Sequence, residues 1–278
     1  MSADATADAT LRLGISIVCY RPDMHLLART LASLQRAITV AGQTFPLATQ
    51  LTLVDNANED DALQSLLDAS GLAAISCVIR NAYNIGFGAA NNKVIRKAHT
   101  DYHLVLNPDV ELANDALMQA LQHLQQHAEV VAVSPACRNG AGQLEYLCKR
   151  YPAVLDLLLR GFAPHWLRQL FAARLARYEY RELADSTSAM PVTLISGCFM
   201  FCRMTTLQRV GGFDERYFLY FEDFSLSLAL GQHGPLHHLP QCRIVHHGGG
   251  AARKGWLHIR LFVTSAWRFY RQHGWRWW

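Results

Sequence analysis

The chain has 278 residues, 51% apolar and 17% charged, a size that fits one large α/β domain or two small ones with a substantial core. Plentiful aromatic and branched residues with little charge exclude a disordered, collagen-like or coiled-coil chain. The formal net charge is only +4, yet no Asp or Glu follows Asp223, whereas Arg243, Arg253, Lys254, Arg260, Arg268, Arg271 and Arg276 do. Such an asymmetry points one end of the chain at an anionic partner. These cations alternate with Trp267, Phe269, Tyr270, Trp275, Trp277 and Trp278, so the partner expected is a membrane surface and no nucleic acid.

In chain order, residues 13–19 (LGISIVC) read as a buried strand and residues 24–40 as a helix, with Leu27, Leu31 and Leu34 at helical spacing. A strand over 51–54 ends at Asp55-Asn56-Ala57-Asn58, and a helix over 60–69 leads to a strand over 75–79. A helix over 88–98 and a strand over 102–106 follow, the latter ending at Asn107-Pro108-Asp109. This rhythm predicts an α/β fold with a mostly parallel central sheet flanked by helices. Ligand groups in such sheets gather at the carboxyl ends of the strands, where Asp55 and Asp109 fall. Residues 147–181 mix leucines, Phe162, Trp166 and Phe171 with arginines, and read as one or two amphipathic helices broken at Gly161 and Pro164. The sheet pattern resumes over 192–201, with a further strand over 242–245. One domain is expected over 11–252, carrying a helical excursion near 150–182. A flexible N-terminus over 1–10 and a basic aromatic C-terminal helix over 253–278 flank it.

The seven cysteines include no C-x-x-C spacing and sit largely in apolar runs, as reduced thiols of a cytosolic protein do. Residues 1–10 are small and acidic, unlike a signal peptide. The longest uncharged apolar stretch, near 191–202, is too short to span a bilayer.

Four segments carry chemistry. Asn84-Ile85-Gly86-Phe87-Gly88 joins a strand to a helix; its glycines and the helix's free N–H groups suit an anion, although a plain Asn-capped turn has the same composition. Asn107-Pro108-Asp109 puts a carboxylate at a strand end, suited to a hard cation or simply to closing a strand. Glu222-Asp223 follows an aromatic run that excludes water and raises a carboxylate's basicity, although acids also favour a helix N-terminus. His246, at a strand end before a glycine run, is placed for a metal or a phosphate.

In this order these segments resemble the family 2 inverting glycosyltransferases of the GT-A fold, in the rhamnosyltransferase-like branch of bacterial surface-polysaccharide assembly. The resemblance rests on ISIVCY at 15–20, VDNAN at 54–58, NAYNIGFGAANN at 81–92, LNPDV at 106–110, SGCFM at 196–200, GGFDERYFLYFED at 211–223 and HHGGG at 246–250. It implies that Tyr20, Asp55, Asn84, Gly86, Phe87 and Asn107 line the nucleotide-sugar donor site. By the same likeness, Asp109 and His246 bind Mg2+ or Mn2+, Asp223 is the general base, and Glu222 orients it or the acceptor. Asn107 stands where the family's first D-x-D acid is common. The implied donor is dTDP-rhamnose, with UDP- or GDP-hexoses riding on the same motifs. The implied acceptor is a lipid-linked or lipopolysaccharide saccharide, and the implied location is cytoplasmic, peripheral on the inner face of the plasma membrane. A catalytically silent nucleotide-sugar-binding scaffold would have lost acids, yet all four of these are present. The basic helices could also pack on a second subunit as a homodimer.

Overall fold

A computed structural model of the chain describes residues 10–57, 61–248 and 255–278. Residues 1–9 of the flexible N-terminus expected over 1–10, Asn58 and Asp60, the end of the glycine run, Arg253 and Lys254 lie outside the described residues. Strands and helices alternate as β1 (Leu11–Cys19), α1 (Met24–Thr44), β2 (Leu47–Asp55), α2 (Ala62–Ala69), β3 (Ser76–Arg80), α3 (Phe87–Ile95) and β4 (Tyr102–Leu106). Then come β5 (Val110–Leu112), α4 (Ala116–Gln126), β6 (Ala132–Asn139) and the short β7 (Leu144–Glu145). The excursion forms α5 (Val154–Phe162), α6 (His165–Leu170) and α7 (Ala172–Tyr178). The chain closes with β8 (Met190–Val192), β9 (Phe199–Arg203), α8 (Met204–Arg209), α9 (Glu222–Gly231), β10 (Leu236–His246) and α10 (Trp256–His273).

β1 is buried from Leu13 to Cys19 on both faces, as a strand covered by helices on either side must be. α1 begins where Asp23 accepts from the His25 and Leu26 N–H groups at 2.9 and 3.1 Å. Leu27, Leu31 and Leu34 then align on its sheet-facing stripe and are fully buried, each contributing about 1.5–3 kcal/mol.

The sheet runs β3-β2-β1-β4-β9-β6-β10-β5, with β7 on β6 and β8 on β10. The expected parallel arrangement holds for β3, β2, β1 and β4 and again for β6 with β10, whereas β9 lies antiparallel between β4 and β6. That reversal builds the site. It opposes Leu106 to Phe199, so the loop after β4 meets the loop before β9, and the Asn107 N–H donates to Cys198 O at 2.9 Å. The antiparallel β5–β10 pair opposes Val110 to His246, setting Asp109 beside the end of β10.

Two expected boundaries move. Gly161 stays helical in the last turn of α5, where its cost is small. The breaks fall at Ala163-Pro164, which caps α6, and at Phe171, which adds a third helix. The terminal helix stops at His273 because Gly274 turns to φ 102°. Residues 275–278 instead lie across the start of α5: Arg276 O and Trp277 O accept from the Val154 and Leu155 N–H groups at 2.8 and 3.4 Å. They satisfy amides that no residue inside the helix could reach. Among the described residues no helix is long and apolar enough to cross a membrane.

Candidate active site

At the carboxyl end of β2, Asp55 is buried and its Oδ1 accepts from the Ala57 N–H at 3.0 Å. It lines a cleft of about 150 Å³ with Arg21, Pro22, Ala57 and Leu63. Arg21 adopts φ 48° and holds its guanidinium 5.7 Å from the centre of the half-exposed Tyr20 ring. The cleft wall is thus made by Arg21, and Tyr20 is not among its lining residues.

The loop before α3 is locked by amides. Asn56 Nδ2 donates to Asn84 Oδ1 at 2.8 Å, while Asn56 Oδ1 accepts from Asn81 and from the Ile85 N–H. Asn84 Oδ1 also takes the Gly86 N–H at 2.9 Å, so Asn84 shapes the loop it belongs to. Gly86, at φ 90°, leaves no room for a Cβ, which would lie 2.6 Å from Phe218 O. The Phe87 N–H donates to that same carbonyl. Asn92, fully buried, clasps Phe213 by its N–H at 2.9 Å and its carbonyl at 2.8 Å. The 81–92 and 211–221 segments therefore form one interlocked wall.

Asp109 faces the end of β10. His246 Nε2 lies 3.6 Å from Asp109 Oδ1, and His246 Nδ1 lies 2.9 Å from Glu145 Oε2. Glu145 thereby turns the ring so that Nε2 points at the carboxylate. The neighbouring His247 is held by Glu111 at 2.5 Å, and Glu111 by Arg29 at 2.6 Å. Asp109 Oδ1 is buried, and no hydrogen-bond donor meets it among the described residues. A Cβ built on Gly248 would lie 2.6 Å from both Asp109 Oδ2 and His246 Nε2, which marks a gap between oxygen and nitrogen ligands. An orphaned carboxylate oxygen, an oriented imidazole and the space between them fit a divalent cation. No group of three or more His, Cys, Asp or Glu side chains suited to a metal forms among the described residues. A cation here would draw its further ligands from phosphate oxygens and water.

Glu222 and Asp223 open α9 after two consecutive non-glycine residues in the left-handed region, Tyr220 at φ 70° and Phe221 at φ 65°, a costly turn that packing must hold. Phe221 is pinned against Phe269 at 5.3 Å and Phe262 at 5.2 Å between ring centres. Asp223 accepts from the Gly197 N–H at 2.9 Å and the Phe224 N–H at 2.8 Å. Burial raises its pKa, opposed by these N–H groups and by the buried Lys149. Burial and then Asp223 raise that of Glu222, whose Oε2 is buried without a hydrogen-bond partner among the described residues. A Cβ on Gly197 would lie 3.4 Å from Asp223 Cβ and 3.2 Å from Phe87 Cε1, so Phe87 borders the pair. The other acids of this run serve elsewhere: Asp214 pairs with Arg216, and Glu215 with Asn92 and Arg96.

The family model described as glycosyl transferase family 2 matches residues 15–206. The chain belongs to this family. It is 26% identical to the N-acetylglucosaminyl-diphospho-decaprenol L-rhamnosyltransferase of Mycobacterium tuberculosis (strain ATCC 25618 / H37Rv), over 96% of this chain and 86% of that protein. To rhamnosyltransferase WbbL of Escherichia coli (strain K12) it is 27% identical, over 58% of this chain and 61% of that protein. Among solved structures it resembles GalNAc-T7 with UDP, GalNAc and Mn2+ (TM-score 0.63, 15% identity), covering 86% of this chain and 43% of that one. It also resembles mannosyltransferase PcManGT of Pyrobaculum calidifontis in complex with GDP-Man and Mn2+ (TM-score 0.61, 15% identity), covering 93% of this chain and 65% of that one. These likenesses establish the GT-A fold for this family 2 glycosyltransferase. The family match ends before Glu222, Asp223 and His246, whose placement at the site rests on the geometry above.

Lys149 and Glu145 carry no signal in the sequence, and Gly248 enters it only as part of the glycine run after His246. Glu145 sits on a two-residue strand, and Lys149 lies in a stretch where cations look solvated.

Proposed function

We propose that this glycosyltransferase moves L-rhamnose from dTDP-rhamnose to a hydroxyl of a lipid-linked saccharide, inverting the anomeric carbon. Similarity to the M. tuberculosis rhamnosyltransferase over 96% of the chain carries the choice of sugar and acceptor class. Asp223, held by two backbone N–H groups and bordered by Phe87, takes the acceptor hydroxyl's proton as that oxygen bonds to the anomeric carbon. The bond from that carbon to the phosphate oxygen breaks, and the nucleoside diphosphate leaves from the opposite face with the electron pair. Asp109 and His246 would hold a divalent cation, which would supply positive charge for the departing diphosphate. Asp55 and Arg21 bound the cleft assigned to the nucleotide base, and the Asn84–Phe87 loop the donor's sugar side. Glu222, neutral because ionising it in its buried position is disfavoured, orients the acceptor or Asp223.

A lipid-linked acceptor favours a location on the cytoplasmic face of the bacterial plasma membrane. Trp256, Arg260, Val263, Trp267 and Arg271 form one exposed stripe along α10, with Arg271 stacked 4.7 Å over the Trp267 ring. Such a stripe suits the headgroup level of an anionic bilayer. The assignment is tested by thermal unfolding with dTDP-rhamnose, UDP-sugars and GDP-sugars, each with and without Mn2+. The largest stabilisation is expected from dTDP-rhamnose with Mn2+; a UDP- or GDP-sugar stabilising more would overturn the donor.

A further inference from the structure

Two successive carbonyls of the 211–223 segment are held by different parts of the chain. Phe218 O accepts from the Phe87 N–H, at the end of the donor loop. Leu219 O, one peptide on, accepts from the Ser265 hydroxyl of α10 at 2.8 Å. The next two residues, Tyr220 and Phe221, are both left-handed, and Glu222 and Asp223 follow them directly. Ser265 thus grips the backbone at the residue before the strained pair, on the way into the proposed base.

Consecutive left-handed non-glycine residues persist only where their surroundings over-determine them, and α10 supplies that hold along one face. His258 Nδ1 lies 2.9 Å from the Tyr220 hydroxyl. Phe262 packs on Tyr220 and Phe221 at 5.7 and 5.2 Å between ring centres, and Phe269 packs on Phe221 and Phe224 at 5.3 and 6.3 Å. His273 Nε2 lies 3.0 Å from the Ser225 hydroxyl, beyond the base. With Ser265 between Phe262 and Phe269, these residues recur every three or four positions, the spacing of a single helix face.

The rings and the hydroxyl constrain different things. Ring packing confines the turn to a region, whereas a hydrogen bond fixes the distance and direction of one carbonyl. That direction matters because the two donors to Asp223 differ in origin. The Phe224 N–H is adjacent in the chain and moves with the carboxylate. The Gly197 N–H belongs to the loop before β9, so the turn must present Asp223 to it at the right angle. A turn released at Leu219 would forfeit the Gly197 bond first.

We infer that Ser265 is a positioning residue for glycosyl transfer: by holding Leu219 O it sets the left-handed turn and aims the Asp223 carboxylate at the Gly197 N–H. The inference rests on the reading of Asp223 as the base, and its first test needs no turnover. Full-length wild type, Ser265→Ala and Ser265→Thr are labelled with 13C at the aspartate carboxyl, and the Asp223 resonance is assigned by its absence from Asp223→Asn. In Ser265→Ala it is expected to titrate about one pH unit higher, because an N–H donor to the charged form is lost. Glu222 and Lys149, the ionisable groups that bear on Asp223, are the same in all three proteins. Transfer from dTDP-rhamnose to a prenyl-diphosphate-linked N-acetylglucosamine with Mn2+ is the second test. There kcat is expected to fall about 10–100-fold, the scale of a small misplacement. The donor KM stays unchanged, since the amides of Asn56 and Asn84 hold the donor loop. Ser265→Thr keeps the hydroxyl and is expected to restore both readings. An unmoved Asp223 titration in Ser265→Ala, an equal shift in Ser265→Thr, or a donor KM that rises as kcat falls overturns the assignment. A titration that shifts as expected in an enzyme that transfers no sugar would instead overturn the proposed activity.

Discussion

At Gly248 the backbone lies outside the left-handed region, so alanine is conformationally acceptable; the obstacle is its methyl group, 2.6 Å from both Asp109 Oδ2 and His246 Nε2. Gly248→Ala is expected to weaken Mn2+ binding by roughly 10–100-fold, the scale on which disturbed metal surroundings act. The free-ion electron paramagnetic resonance signal reads this directly, and unchanged affinity would place the cation elsewhere. A second expectation concerns Lys149, whose own pKa burial lowers to about 8, leaving it charged at neutral pH. Its charge favours the ionised form of Asp223, the form that accepts a proton, while burial pushes the Asp223 pKa up. The acid limb of the kcat/KM profile should thus lie above the ordinary carboxylate range. Lys149→Met should move it to still higher pH, and an unmoved limb would show that Lys149 does not bear on the base. The residues that were legible in the sequence, Asp55, Asp109, Asp223 and His246, are polar groups that end apolar runs or open a helix. Glu145 was not legible because its role comes from His246, 101 positions away, and no local pattern encodes that meeting.

Among the elements, the first four strands and three helices follow from apolar periodicity because each is a contiguous unit with its own turn. The direction of β9 does not follow. Residues 190–203 are apolar with no period that distinguishes a parallel from an antiparallel entry, and only the partners β4 and β6 decide it. The hold between the 81–92 and 211–221 segments was hidden for a similar reason, since Asn92 reads as one more polar residue on a helix until Phe213 is placed against it. α10 illustrates the opposite case. Its exposed Trp–Arg stripe was legible, whereas its buried face, with Phe269 and Tyr270 packed among Tyr217 and Phe221 and Ser265 donating to Leu219 O, shows that the helix also supports the turn into Asp223.

For the whole molecule, charge and aromatic exposure coincide on one terminal unit. Trp275 stacks on Tyr270 at 5.0 Å and on Trp277 at 5.2 Å, and the tail's backbone ties that stack to α5. The two amphipathic segments expected separately from the sequence are therefore joined. Sedimentation with vesicles containing anionic lipid is expected at low salt and should fall as salt screens the arginines. A Trp256→Ala, Trp267→Ala double variant should bind about tenfold less, near the loss of two interfacial side chains; indifference of the wild type to vesicles would sink the assignment. The long-range pairing of β5 with β10 has a different consequence, one of timing. The four parallel strands that carry Asp55 are made within the first 106 residues. The Glu111–His247 contact beside the cation pair spans 136 positions, and distant pairings of this kind close late. During synthesis the strands around Asp55 thus precede the meeting of Asp109 with His246, which exists only once β10 has left the ribosome.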